Sequence, residues 1–186
     1  MSRQLRIAGL ALLALGLCSC VEATGEMAAV EGRRDPVAAR EGVAIDKASV
    51  AIVSAVSDPG EPGQAFLAAL TAGAGAHDVK FADAKSAKYL VQAYVSGERT
   101  EGGAEYAYVM EVFTAGKSRA HRIDDAVAVK GGGDDIWGAQ GDKAIKSLAE
   151  RGADDLFAFL TTTPEAAAPG AAKPAAGKAG ALLSQN

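Results

Sequence analysis

The chain has 186 residues, of which 49% are hydrophobic and 23% charged, and its formal net charge is −4 at pH 7. This mildly acidic chain contains no basic run, which argues against a nucleic-acid-binding protein and against a polybasic membrane segment. The only cysteines are Cys18 and Cys20, so the rest of the chain has no disulfide framework, cysteine-ligated zinc or cysteine nucleophile.

The first twenty residues have the pattern of a secretion signal. Arg3 and Arg6 precede an uncharged apolar run, residues 7–17, which is too short to span a bilayer. The run ends in Leu17-Cys18-Ser19-Cys20, which resembles a bacterial lipobox: a branched aliphatic residue, two small residues and the cysteine that becomes lipidated. Cys18 departs from the Ala or Ser that is more usual there. The resemblance implies that residues 1–19 are removed and that Cys20 carries the acyl chains.

A lipid on Cys20 would tether the protein to a membrane. Each buried methylene contributes about 0.8 kcal/mol, so three acyl chains, palmitate among them, anchor a protein permanently. Loss of Arg3 and Arg6 would shift the net charge from −4 to −6. Val21 stands where an Asp would favour inner-membrane retention by the enterobacterial rule, and this resemblance implies an outer-membrane anchor facing the periplasm. The alternative is an ordinary signal peptide cut near Ala23, which releases a soluble periplasmic protein.

Composition divides the remaining chain into three regions. Residues 20–44 mix small and charged residues without an apolar period and predict a flexible tether. Residues 45–161 are long enough for one domain with a modest core. Residues 162–186 are rich in Ala, Pro, Gly and Lys, which predicts a disordered tail, either a spacer or inert.

The first half of the domain alternates between strand and helix patterns. Residues 49–56 form an apolar run typical of a strand, and residues 58–63 break it with Pro and Gly. Residues 64–72 have helical spacing, and Gly73 and Gly75 are expected to end that helix. Val79 and Phe81 mark a second short strand.

The second half predicts three strands and a helix. Residues 89–96, 105–113 and 121–129 alternate with period two, and turn residues between them indicate an antiparallel meander. An amphipathic helix starts at Asp134 or Asp135 and runs to about residue 160. Its solvated face carries Lys143, Lys146, Glu150, Arg151 and Asp154. The order β-α-β-β-β-β-α predicts an α+β fold: a mixed, mostly antiparallel sheet of about five strands with two helices.

Motifs for catalysis or metal binding are weak. Gly116-Lys117-Ser118 lacks the earlier glycine of a phosphate-binding loop and predicts a hairpin turn. Residues 131–135 contain three glycines and two aspartates, which indicate a flexible connection or a weak cation-binding loop. His77 and His121 have no metal-ligand spacing. No nucleophile elbow and no distinctive carboxylate pair occurs, so we expect no enzyme activity, metal or cofactor.

Aromatic residues are the candidates for partner binding. Tyr106 and Tyr108 share one face of a strand, and Tyr94 lies on the neighbouring strand. If solvent reaches that face, the three rings form a patch suited to a protein or glycan; if helices cover it, they belong to the core. The opposite side of the strand is equally apolar, so the pattern does not decide between them. Trp137 either fastens a helix end to the sheet or is an exposed anchor.

Residues 45–160 carry a second resemblance. Residues 87–95 (AKYLVQAYV), a tyrosine-rich strand, a glycine turn, another strand, a glycine-rich loop and Trp137 before an alanine-rich helix follow one another. This order resembles small envelope lipoproteins of alphaproteobacteria. It is also similar to accessory lipoproteins for outer-membrane assembly, curli secretion and activation of penicillin-binding proteins. The resemblance implies an accessory role in the envelope and carries no functional residue across.

These observations lead to a hypothesis of a non-enzymatic envelope lipoprotein that binds another envelope protein. It predicts that replacing Tyr106 and Tyr108 by Ala weakens partner capture and leaves folding intact. The alternative hypothesis is a small-ligand binder for a glycan, lipid or cation, with its cleft near residues 131–137. An enzyme would require a polar cluster that only the fold creates.

Overall fold

The computed structural model describes residues 37–131 and 135–166, which form two helices and a four-stranded mixed sheet. The predicted α+β class is confirmed. The predicted signal peptide, Cys20, residues 20–36 of the tether and residues 167–186 of the tail lie outside the described residues. The elements in chain order are β1 (Val50–Val56), α1 (Glu61–Ala76), β2 (Tyr89–Thr100), β3 (Gly103–Thr114), β4 (Arg119–Lys130) and α2 (Ala139–Thr161).

The strands lie in the order β1-β2-β3-β4. β1 runs parallel to β2 because α1 carries the chain back between them, whereas β2, β3 and β4 are antiparallel neighbours. The predicted meander is thereby confirmed. The β3–β4 turn is closed by the Thr114 N–H, which donates to the Ser118 carbonyl oxygen at 2.9 Å. Lys117 adopts a positive φ of 62° there, so Gly116-Lys117-Ser118 forms the predicted hairpin turn.

The predicted strand at Val79 and Phe81 is a single bridge, which is why the sheet has four strands and not five. Phe81 pairs with Val50, and the Val50 N–H donates to the Lys80 carbonyl oxygen at 2.8 Å. The chain then turns away, since the Ala87 N–H donates to the Asp83 carbonyl oxygen at 2.9 Å.

Both helices differ from prediction at their ends. α1 includes Gly73 and Gly75 instead of ending at them. A Cβ on Gly73 would lie 2.9 Å from the Ala153 Cβ, so this glycine allows α1 to approach α2 closely. α2 begins at Ala139, and Asp135 does not cap it: its Oδ1 accepts a bond from the Trp137 N–H at 3.0 Å. Asp134 lies outside the described residues.

The core lies between the helices and one face of the sheet. Alternate strand residues point into it because side chains of a strand alternate between its faces. Neither helix covers the opposite face, which we call the open face. The largest fully buried side chains are Tyr106, Tyr108, Phe66, Leu70, Met110, Ile145, Leu148, Leu156, Leu160, Val50, Val91 and Val112.

Contacts extend past both predicted domain boundaries. The Arg40 N–H donates to Thr161 Oγ1 at 2.9 Å, although residue 40 belongs to the predicted tether. Beyond residue 161, Thr163 is buried and the Tyr89 hydroxyl donates to Glu165 Oε2 at 2.6 Å. The two ends of the described chain therefore lie on the same end of the domain.

Candidate functional site: the open face of the sheet

Tyr106 and Tyr108 lie in the core, each with 1% of its surface exposed. The Tyr108 ring lies 5.1 Å from the ring of Phe66 in α1. The Tyr106 hydroxyl donates to the Ile136 carbonyl oxygen, and burial, followed by the Asp135 charge, raises its pKa. Replacing either tyrosine by Ala would create a core cavity, so the expectation that both changes leave folding intact is wrong.

Tyr94 lies on the open face, so the predicted patch of three tyrosines is not formed. Its side chain is 48% exposed, and it pairs with Val56 of β1 and Val109 of β3. β2 places Tyr94 outside because its buried residues are the odd-numbered ones from Tyr89 to Val95. The rings of Tyr94 and Tyr106 are therefore on opposite sides of the sheet.

Trp137 packs against the sheet. Its ring lies edge-on to Tyr106, with 5.6 Å between ring centroids. A Cβ on Gly97 would lie 2.6 Å from the Trp137 ring, so the absence of a side chain on β2 makes room for the indole. This is the fastening role that the sequence left as one of two alternatives.

An apolar stripe crosses the open face over β1 and β2. Val56 is 51% exposed and pairs with Tyr94, and Val53, which is 40% exposed, lies near Leu90 and Gln92 on the same side. A groove of about 290 Å³ continues the stripe towards the β3–β4 turn. It is lined by Val53, Leu90, Gln92, Phe113 and Lys117. Clustered exposed apolar side chains on a small domain are typical of interaction surfaces.

The other half of the open face, over β3 and β4, carries a cluster of charged residues beside apolar ones. Arg122 contacts Glu111 at 3.2 Å and Asp124 at 3.3 Å, and Arg119 lies 3.6 Å from Glu111. Since both arginines are more than half exposed, each pair contributes about 1 kcal/mol or less to stability. The open face therefore combines an apolar stripe with a polar margin.

A second cavity, of about 370 Å³, lies at the end of the domain where the described chain begins and ends. His77 lines it, stacks on Phe157 at 4.8 Å and contacts Asp154 Oδ1 through Nε2 at 2.7 Å. Its remaining walls are Val43, Ala44, Ile45, Asp46, Asp78 and Lys80. The loop of residues 131–137, for which the sequence predicts a cleft, is at the other end of the sheet, and residues 132–134 of that loop lie outside the described residues.

Neither histidine lies in a metal-binding group of side chains among the described residues. His121 stacks on Phe159 at 5.0 Å, so each histidine packs on a phenylalanine of α2. Across residues 37–131 and 135–166, no three His, Cys, Asp or Glu side chains are grouped so as to hold a metal ion. None of the helices in those residues is both long and apolar enough to cross a bilayer.

An ion pair that the sequence pattern does not reveal joins the helix layer to the sheet. Arg151 Nε lies 3.0 Å from Asp125 Oδ2, and the Asp125 side chain is only 3% exposed. Arg151 was expected on the solvated face of α2, but it turns towards β4. The signal that could have located it is Asp125 itself, an acid between Ile123 and Val127 on the apolar face of its strand.

No protein-family model matches the chain. No curated protein matches it significantly. Among solved structures it is similar to PelC, a dodecamer from Paraburkholderia phytofirmans, with 14% identity and a TM-score of 0.40 over 60% of this chain and 91% of that chain. A point variant of that PelC gives 19% identity and a TM-score of 0.38, covering 60% of this chain and 87% of that chain.

A minor lipoprotein from Acinetobacter baumannii is similar at 10% identity and a TM-score of 0.44, over 60% of this chain and 93% of that chain. With TM-scores below 0.5, none of these similarities decides the function of this chain.

Proposed function

We propose that this chain is a bacterial envelope lipoprotein, anchored through Cys20, whose domain acts without catalysis as a protein-binding adaptor or assembly accessory. The lipobox-like ending Leu17-Cys18-Ser19-Cys20 supports the anchor, and Val21 favours the outer membrane. One observation carries the binding role: Val53, Val56 and Tyr94 are exposed together on the sheet face that neither helix covers.

The composition of the open face supports a protein as the partner. Its apolar stripe would lose contact with water on binding, and an exposed tyrosine supplies a large rigid contact area. The Arg122–Glu111–Asp124 cluster beside the stripe would form a polar rim. An apolar centre within a polar rim is the usual anatomy of a protein–protein interface.

In-cell photo-crosslinking tests this proposal. A photoreactive residue would replace Tyr94 or Val56 in the full chain, and the control would replace Lys146, which is exposed on the helix side. We expect one dominant protein adduct from positions 94 and 56 and none from position 146. Equal adducts from all three positions, or none from 94 and 56 in a folded, anchored protein, would contradict the binding role of this face.

A small-ligand function is the second candidate, and the cavity of about 370 Å³ beside His77 favours it. The cavity combines the apolar Ile45 and Phe157 with the charged Asp46 and Lys80, as ligand sites often do. A ligand from an envelope extract would raise the melting temperature of the protein. Substituting Lys80→Gln should reduce that increase if the ligand occupies this cavity, whereas Lys146→Gln should not.

A further inference from the structure

Positive charge collects at the end of the domain where both ends of the described chain emerge. Lys85 and Lys88 precede β2, and Lys117 and Arg119 belong to the β3–β4 turn and the start of β4. The two segments are neighbours, because the Ala115 N–H donates to the Lys88 carbonyl oxygen at 3.0 Å. We call these four residues the basic end.

The cations of the basic end are accessible. All four residues are exposed, and the three lysines form no ion pair among residues 37–131 and 135–166. Arg119 is 63% exposed and has a distant partner in Glu111, at 3.6 Å. The acids nearest to these two segments are Asp83, in the turn before Lys85, and Glu165, which accepts a hydrogen bond from the Tyr89 hydroxyl. Asp46 and Asp78 are at the same end of the domain but line the cavity beside His77, together with Lys80.

The opposite end of the sheet has the reverse charge. Four acids lie there, Glu98, Glu101 and Glu105 of the β2–β3 hairpin and Glu61 at the start of α1, and they outnumber the two cations, Arg99 of the hairpin and Lys130 at the end of β4. The domain is therefore electrically polar along its strands. Such a charge distribution would orient the domain near a charged surface.

The groove on the open face adjoins the basic end. Lys117 is part of its lining, next to the apolar side chains of Val53, Leu90 and Phe113. In an anionic phospholipid, a charged phosphate lies next to apolar acyl chains. A cation beside an apolar groove is complementary to both parts of that molecule.

We infer that the basic end, with its adjoining groove, docks the domain on an anionic phospholipid surface. The inference rests on the proposed function in that the Cys20 anchor would hold the bilayer close. Sixteen residues lie between Cys20 and Val37, and this segment spans at most about 60 Å when fully extended. A tether of this length lets the domain reach the bilayer in any orientation. The charged and apolar residues on its surface therefore determine which side docks.

Vesicle sedimentation of the chain from residue 20 onward, carrying Cys20→Ser so that no lipid is attached, tests the docking surface. We expect binding to vesicles that contain phosphatidylglycerol, and much weaker binding to phosphatidylcholine alone. Each of Lys88→Gln and Lys117→Gln should lower the partition coefficient about fivefold, and the double variant about 25-fold. The control is the double variant Lys130→Gln and Lys143→Gln, which makes the same charge change at the other end of the sheet.

Equal losses from both double variants, or no preference for phosphatidylglycerol, would overturn the inference. Mass spectrometry of Cys20 in chain purified from the envelope tests the anchor separately. An unmodified Cys20 together with binding that depends on Lys88 and Lys117 would contradict the proposed anchor alone. An acylated Cys20 with no such dependence would contradict the docking surface alone.

Discussion

Among single residues, the largest effects on stability are expected from side-chain contacts that join the helices to the sheet. Asp125 of β4 and Arg151 of α2 meet at 3.0 Å under the helix, with the carboxylate almost fully buried. A buried charge that loses its partner keeps the cost of its lost hydration. The pair therefore contributes little net stability. Its role is to hold α2 in one position on the sheet.

Substituting Arg151→Met should lower the free energy of unfolding by about 3 kcal/mol, because Asp125 then stays buried without its cation. Adding Asp125→Leu should restore most of that loss. Urea denaturation measures both changes, with Arg122→Met as the exposed control, expected to cost about 1 kcal/mol or less. A loss no larger for Arg151→Met than for Arg122→Met would show that the buried pair is not the fixing contact.

Tyr89 should make the stability of the fold depend on pH in the alkaline range. Burial, followed by its hydrogen bond to Glu165, raises the pKa of Tyr89 from 10.0 to about 12. The folded state thus keeps the hydroxyl proton to higher pH than the unfolded chain, so this stabilisation is complete below pH 10 and is lost as pH rises to about 12.

The variant Tyr89→Phe should therefore show a smaller fall in melting temperature between pH 10 and pH 12 than the parent chain. Tyr94→Phe, at an exposed position on the open face, is the matched control. Thermal unfolding followed by circular dichroism at several pH values measures the slopes. An unchanged slope for Tyr89→Phe would argue against this role of the hydroxyl.

At the scale of elements, glycines decide how closely the two helices approach. Gly73 lies at the crossing of α1 and α2, where its missing side chain leaves room for Ala153. Gly75, two residues later in the same helix, has open space where a Cβ would stand. Both positions are in the last four residues of α1, and they differ in what surrounds them.

Gly73→Ala should lower the free energy of unfolding by about 1–3 kcal/mol, because the new methyl group forces the helices apart. Gly75→Ala should raise it by about 0.5–1 kcal/mol, since alanine loses less conformational entropy in a helix. Denaturant unfolding of the two variants tests the contrast. The same sign for both changes would mean that the helix crossing tolerates a larger residue at position 73.

The strands were more predictable than the helix ends. Alternation in β2, β3 and β4 is a local signal, so their faces and their antiparallel order followed from sequence. The continuation of α1 through Gly73 did not, because the glycine is required by a distant helix. The apolar pattern at Val79 and Phe81 predicts a strand, but the structure has only a bridge there. The pattern does not show that the chain turns away directly after Phe81.

At the scale of the whole molecule, the fold depends on one face of the sheet. The helices cover the side that holds Tyr106 and Met110, while Val56 and Tyr94 remain exposed on the other. Within residues 37–131 and 135–166 these side chains are exposed, so the partner that we propose would bind there without disturbing the core.

The double variant Val56→Ser and Tyr94→Ser should change the free energy of unfolding by less than about 1 kcal/mol. Val91→Ser, on the covered face of β2 with 0% exposure, should cost more than about 2 kcal/mol. Chemical denaturation compares them, and the double variant should also abolish the crosslinking partner's binding. A large loss of stability from the double variant would show that the open face belongs to the folding core.

Three features can be read from local patterns of neighbouring residues: the α+β class, the strand faces of the meander and the lipobox-like ending at Cys20. Which face the helices cover becomes clear only from the folded domain, since Ala107, Val109 and Phe113 make the other side of β3 equally apolar. The fold also paired Asp125 with Arg151 and brought Lys88 beside Lys117. These results depend on where separate segments meet, and a local period carries no information about residues far along the chain.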